Sequence, residues 1–392
     1  MPRTCPFQPP PPYAKLRAEE PAARVTLQDG STTWLLTRHA DVRTVLSSRA
    51  VSSDRARPGF PATVANVGAF AQKGFLLSMD APEHAMHRKL VTNEFTVQRI
   101  RALRPRIQEI VDERITRMLK SPTREADLVQ ALALPVPSLV ICELLGVPYD
   151  TRDVFQRHAE ILLDRSTPAE ERGRSFGALR TFFGELVASR AAEDTDADSD
   201  DLLGRLMTKY REHGTFDQEV MTGFVMLLLI AGHETTANMI GLGVAALLDR
   251  PEDLAGLRAG PDRMPQAVEE LLRYFSIVDY PTARVALEDI DLGHTRIRAG
   301  EGVIAAAAAA NHDESVFDRP DVLDLDRNPR GHVAFGFGPH QCLGQNLARA
   351  ELDITYRTLF DRVPTLRLAH PVADLAFKDA SVYGLQRLDV TW

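Results

Sequence analysis

Cysteine is scarce in this 392-residue chain, which carries only Cys5, Cys142 and Cys342. An odd and sparse set gives no disulfide framework and points to a reducing compartment. Long apolar runs are missing too: the longest, residues 224–232, stops at His233-Glu234, far short of the ~20 residues that span a bilayer. The opening Met-Pro-Arg-Thr-Cys-Pro-Phe has no basic-then-apolar layout of a signal peptide. These absences predict a cytoplasmic protein with no membrane anchor. There is also no excess of basic charge. The net charge is -8 and the arginines are dispersed, which leaves no electrostatic footprint for nucleic acid.

With 44% hydrophobic and 26% charged residues the chain has the means for a large buried core. Its length alone suggests two or three domains at ~150 residues each. An extended proline-rich lead-in to Pro12 precedes two strands, 25–27 and 32–37, split by the Asp29-Gly30 turn signal. Residues 57–78 read as a long ordered loop with short helical pieces, of the kind that is usually functional. Helical patterns follow over 82–93, 97–119, 132–145, 149–164, 168–192 and 201–212, with the acidic run 193–200 as a solvated connection. The last third is strand-like over 281–291, 303–309 and 382–390. The chain reads as mainly α with a minor β part.

The pattern over 217–249 predicts a helix of ~33 residues, ~50 Å long, with Thr215 and Gln218 at capping-box spacing. A helix apolar on all sides must be buried. In its middle stand Ala231-Gly232-His233-Glu234-Thr235-Thr236, where packing alone would prefer leucine or alanine. Function is expected where a local rule is broken in this way.

The strongest signal is Phe335-Gly336-Phe337-Gly338-Pro339-His340-Gln341-Cys342-Leu343-Gly344, followed by a helical pattern from Gln345. Glycines around one cysteine let the backbone approach a flat ligand. A cysteine just ahead of a helix N-terminus is favoured as thiolate, and a thiolate in such a loop suits an axial ligand to haem iron. Gly336-Phe-Gly338 lacks the third glycine and the βαβ setting of a nucleotide loop. Cys5 and Cys142 read as small hydrophobic residues.

Phe335, Gly338, Cys342 and Gly344 form the pattern F-x-x-G-x-x-x-C-x-G, which resembles the haem-binding loop of the cytochromes P-450, the haem-thiolate monooxygenases. Ala231 to Thr235 resembles that family's oxygen-activation helix, and Glu270-Leu-Leu-Arg273 its Glu-x-x-Arg helix. The second motif is weak alone, since Glu171 to Arg174 matches it; its place ahead of Cys342 selects Glu270 and Arg273.

The resemblance covers essentially the whole chain. It implies one haem domain over residues 1–392, a triangular-prism α+β fold with haem b between the long central helix and the Cys-loop helix. It assigns Cys342 as the metal ligand, Glu270 and Arg273 as a structural pair, and His84, Arg88, Arg284 and His340 to the haem propionates. Ala231, Phe335, Gly336 and Gly344 are expected against the cofactor. Val322 falls where an arginine often completes the Glu-x-x-Arg network, with His332 or a backbone carbonyl as candidate substitutes.

Glu234 and Thr235 are the expected proton-delivery pair, a carboxylate to relay protons and a hydroxyl to hold oxygen and water. Gly232 suits a locally widened helix; a threonine bonded back to the carbonyl of Ala231 is the plainer alternative. The pair favours a monooxygenase using dioxygen over a hydrogen peroxide-driven peroxygenase. A haem-based gas or redox sensor and a haem-free α-rich binding protein are the other readings. No flavin or iron–sulfur cysteine set is found, so electrons are expected from a ferredoxin and its reductase, docking on Arg99, Arg101, Arg104, Arg330 and Arg349.

The resemblance also places Phe70, Phe75, Leu76, Leu163, Leu227, Ile277, Val278, Tyr280 and Val382 around an apolar substrate, and 305–310 on a strand of small side chains beside the haem. The overall sequence looks most like actinomycete hydroxylases acting on macrolides, polyketides, steroid-like molecules and drugs. A monomer that hydroxylates or epoxidises an apolar natural product is the expected activity.

Overall fold

In the computed structural model, which describes residues 3, 7–61, 73–192, 201–278 and 282–392, the Asp29-Gly30 turn folds as its sequence requires. Gly30 takes a φ of 82°, the left-handed region open to glycine, and Asp29 Oδ1 accepts from the Ser31 N–H at 2.9 Å. Strand β1 (Ala22–Thr26) therefore returns on β2 (Thr32–Leu36). With β3 (Val51–Ser52), β5 (Ala283–Ala286) and β8 (Gly302–Ala305) they form one sheet in the order β1-β2-β8-β5-β3. A second sheet joins β4 (Glu125–Asp127), β10 (Asp389–Thr391) and β9 (Arg367–Leu368), and β6 (Ile290–Asp291) pairs with β7 (Arg296–Ile297).

Helix carries the rest. Among the described residues, α1 (Pro12–Glu19) and α2 (His39–Ser47) flank the first hairpin. The series α3 (Glu83–Thr92), α4 (Val97–Met118), α5 (Pro135–Leu145), α6 (Arg152–Leu163), α7 (Ala169–Ala192) and α8 (Leu202–Glu212) leads to α9 (Gln218–Leu248). After it come α10 (Pro251–Ala259), α11 (Met264–Phe275), α12 (Ala307–Ala310) and α13 (Gln345–Arg362). Alternating core and surface positions along α4 and α8 made them legible; α1, α2 and α10 are short and carry too few turns to stand out. The proline run does not stay extended: Pro12 opens α1, where a fixed φ and a missing N–H cost nothing.

Helix α9 runs unbroken through the core, against α5, α7 and α13. It is the one described helix long and apolar enough to cross a membrane, and 72% of its apolar window is buried in protein, as befits a core helix. Its cap is Asp217 rather than the Thr215–Gln218 box: Oδ1 accepts the N–H groups of Glu219 at 2.7 Å and Val220 at 3.2 Å. Gly243 sets its distance from α13, since a Cβ there would lie 2.1 Å from the Tyr356 hydroxyl, which donates to the Met239 carbonyl at 2.6 Å.

The expected strand over 303–309 is also corrected. β8 ends at Ala305, and Ala307–Ala310 wind into the buried turn α12 beneath α1 and α2. Alanine pays no side-chain entropy in a helix, and its small side chains fit under the Val42, Val45 and Leu46 face of α2. The alanine run thus packs under a helix.

Candidate haem-thiolate site

The cysteine loop hangs from a buried polar network. Glu270 and Arg273, one helical turn apart on α11, are both fully buried and meet through two bonds, Nε to Oε2 at 2.8 Å and Nη2 to Oε1 at 2.7 Å. Arg273 Nη1 donates onward to the carbonyls of Asn311 at 2.7 Å and Pro320 at 3.0 Å. Asn311 in turn accepts the Val333 N–H at 2.7 Å, which fixes the chain two residues before Phe335. The second cation of the network is Arg327, whose Nε donates to Glu270 Oε1 at 3.1 Å. Val322 contributes only its carbonyl, accepting from Arg327 Nη2 at 3.3 Å. His332 is not the substitute; it bonds the neighbouring carboxylate, Glu269, at 3.0 Å. A sequence offset of five residues hid Arg327.

Within the loop, Gly336 and Gly338 take φ of 72° and 74°, and the Cys342 N–H donates to the Phe335 carbonyl at 2.8 Å. A Cβ on Gly344 would meet no protein atom within 4 Å, so internal packing does not demand glycine there; the space suits the face of a flat ligand. Cys342 lies deep in the protein, yet its side chain is accessible, so it faces internal space. Burial raises its thiol, against the pull of the Gly344 and Gln345 N–H groups and of the Arg88 and Arg349 charges. Metal coordination deprotonates such a thiol outright. Cys142, in contrast, is enclosed in apolar core and is pushed up to about 12 by burial.

Next to the loop, His84 and Arg284 are buried, and Arg88 is half-buried. The His84 and His340 rings lie 4.0 Å apart, His340 Nε2 bonds the Ser53 hydroxyl at 3.0 Å, and Arg88 donates to the Gln341 carbonyl. Burial, and then the Arg88 and Arg284 charges, lowers His84 to about 4; burial, Arg284, His84 and Arg88 lower His340 to about 2. Burial and the nearby Arg55 lower Arg284 to about 10. Crowded cations of this kind repel one another unless an anion joins them. The carboxylate felt in this cluster, Asp80, is already engaged by Ser52, Ser53 and Arg57. His84 Nε2 is buried without a hydrogen-bond partner. The donor set fits two propionates. Arg55 was missed because nothing in an arginine-rich chain marks it.

On α9, buried along most of its length, Leu228, Ala231 and Thr235 are accessible at helical spacing, with Ile230 and Gly232 half-buried beside them, so this stretch too lines internal space. Leu227, the residue expected there, is buried. The helix stays α-helical over all of Gln218–Leu248, with no wider turn; Thr235 Oγ1 donates to the Ala231 carbonyl at 2.7 Å, and Gly232 is explained by packing, since a Cβ would come 3.1 Å from Ile141. Glu234, one residue round the helix, is buried on a different face. Its Oε2 meets Lys378 Nζ at 3.2 Å, and both line a cleft of about 500 Å³ together with Asn238, Gln386, Leu163 and Val382. Lys378 was missed: it is a lone lysine in the turn-rich C-terminal segment, brought in because the Lys378 N–H bonds the Gly384 carbonyl and Gly384 packs on Asn238.

The expected substrate residues divide. Leu163 and Val382 line the cleft beside Glu234. Phe75, Leu76 and Ile277 are buried in the main core, where Phe75 packs on Phe176, and Val278 bridges Val382. Phe70 and Tyr280 lie outside the described residues. Two of the five proposed docking arginines are already paired, Arg104 with Asp353 and Arg349 with Glu269; Arg99, Arg101 and Arg330 remain exposed.

The family model described as "Cytochrome P450" matches residues 15–362. The chain belongs to the cytochrome P450 family. This P450 is 47% identical to "Pentalenic acid synthase" of Streptomyces avermitilis, over 100% of this chain and 96% of the relative. It is 42% identical to "20-oxo-5-O-mycaminosyltylactone 23-monooxygenase" of Streptomyces fradiae, over 100% and 91%. Among solved structures it resembles cytochrome P450 MoxA from Nonomuraea recticatena with a TM-score of 0.91 and 48% identity, covering 100% of this chain and 97% of that one. The P450 is an enzyme, and haem is the cofactor of its family.

Proposed function

We propose that this P450 is a monooxygenase that inserts one atom of dioxygen into an apolar small molecule. The substrate class is a macrolide-, polyketide- or steroid-like natural product or drug, hydroxylated or epoxidised with electrons from a ferredoxin and its reductase. The enzyme acts as a cytoplasmic monomer, with residues 1–392 forming one haem-binding unit. Bound haem supplies a redox-active iron whose thiolate ligand favours O–O cleavage. Cys342 binds it, His84, Arg88, Arg284 and His340 hold the propionates, Phe335, Gly336 and Gly344 flank the sulfur side, and Ala231 leaves room opposite. Arg99, Arg101 and Arg330 supply the basic docking face.

The observation that carries this reading is the position of Glu234. A buried carboxylate beside Thr235 opens onto a cleft on one side of α9, while Thr235 opens on another face. Such an arrangement takes a proton from cleft water at the carboxylate and passes it round the helix to a group held by the Thr235 hydroxyl, which keeps acceptor capacity while donating to Ala231. A peroxide-driven enzyme has no use for that relay. With ferredoxin, reductase and a substrate found by its shift of the haem spin state, Thr235→Ala should consume electrons at a near-normal rate and release peroxide instead of product. Peroxide-driven turnover should be spared. Unchanged coupling would remove the relay.

A further inference from the structure

The Glu-x-x-Arg motif draws attention to Glu270, but the residue before it reaches the cysteine side. Glu269 accepts from Arg349 Nε at 2.5 Å and Nη2 at 3.0 Å, and from His332 Nε2 at 3.0 Å. His332 Nδ1 accepts the Ala334 N–H at 3.2 Å, so its proton is on Nε2 and points at Glu269. Despite burial, the His332 and Arg349 bonds hold the Glu269 carboxyl down at about 2. Arg349 is tethered on its other side by Gln345, whose amide oxygen accepts from Nη1 at 3.0 Å. Its guanidinium lies 4.6 Å over the Phe335 ring, and Phe335 supplies the carbonyl that fixes the Cys342 N–H. The Arg349 charge also acts on the Cys342 sulfur. Adjacent carboxylates on α11 thus serve two networks: Glu270 the loop before the cysteine, Glu269 the helix after it.

We propose that Glu269 is a positioning residue for the sulfur ligand: it holds Arg349 over Phe335 and balances its charge, and so sets the reduction potential of the haem. This rests on the reading that Cys342 ligates the haem iron. Groups behind a ligand tune the centre through charge and hydrogen bonding. A positive charge left unbalanced near the haem favours the reduced state, and a negative one disfavours it.

The test is a charge cycle read by potentiometric titration of the purified haem protein. Glu269→Gln keeps the shape and leaves Arg349 unbalanced, so the potential should shift positive. Arg349→Gln leaves Glu269 unbalanced, so it should shift negative. The double variant should return close to the parent. A purely structural role would speed loss of the thiolate-bound form in both single variants without shifts of opposite sign. Shifts of the same sign, or none, would overturn the proposal; should Glu269→Gln fail to hold haem, a zero or positive shift in Arg349→Gln would overturn it alone. Cys342→Ser separates the two readings. If that change leaves the carbonyl spectrum of the reduced protein intact, ligation by Cys342 falls and this proposal with it. If the spectrum collapses while the charge cycle is flat, only the role of Glu269 falls.

Discussion

The two sides of the proposed haem site are built on different principles. On the sulfur side the two α11 carboxylates each have several partners: Glu270 meets Arg273, Arg327 and the Asp324 N–H, and Glu269 meets Arg349 and His332. On the α9 side Glu234 has a single hydrogen-bonded cation, Lys378, and Thr235 bonds only within its own helix. The first arrangement fixes an atom in place, as a metal ligand requires. The second leaves groups that can change partners, as proton transfer requires.

Breaking the fixed side should have the largest effect. Arg273→Ala leaves Glu270 buried opposite fewer donors, and losing one partner of a buried pair costs about 3–5 kcal/mol. Urea unfolding should show that loss, with haem no longer retained; a loss under 1 kcal/mol would mean the pair is not what holds the loop. The α9 side should respond mainly in rate. Lys378→Met leaves the buried Glu234 carboxylate without its cation, so it should cost about 1–3 kcal/mol in unfolding and lower coupled product formation by on the order of ten-fold, as changes behind a reacting group do. Equal rates in both proteins would show that Glu234 needs no anchor.

The smallest effect is read from the slope of stability in acid. Because the folded carboxyl of Glu269 sits at about 2, below its ordinary 4.5, it contributes stability that is full above pH 4.5. That contribution fades as pH falls toward 2. Glu269→Gln should therefore flatten the acid limb of an unfolding curve in this window and leave its neutral limb nearly parallel to the parent. An identical acid limb would mean the carboxylate gains nothing from Arg349 and His332.

Most of the helices were legible because burial imposes a 3.6-residue period, and Cys342 and Thr235 because their types contradict their surroundings. What stayed hidden depends on tertiary approach. Arg327 was missed because its loop curls back five residues past the position of Val322. Lys378 is placed by a hairpin docking on Asn238. Arg55 and Glu269 carry no local signature at all. Local rules also misled where two structures compete: Asp217 outbid Thr215 as cap because its carboxylate takes two N–H groups, and Ala307–Ala310 preferred a buried turn to an extended strand.

The central claim is that one sulfur, from Cys342, binds the iron. The reduced, carbon monoxide-bound spectrum tests it most directly. The parent should show the strongly red-shifted Soret band of a thiolate-ligated haem, and Cys342→Ser should lose it. A red-shifted band that survives the substitution, or one that never forms in the parent, would contradict the account.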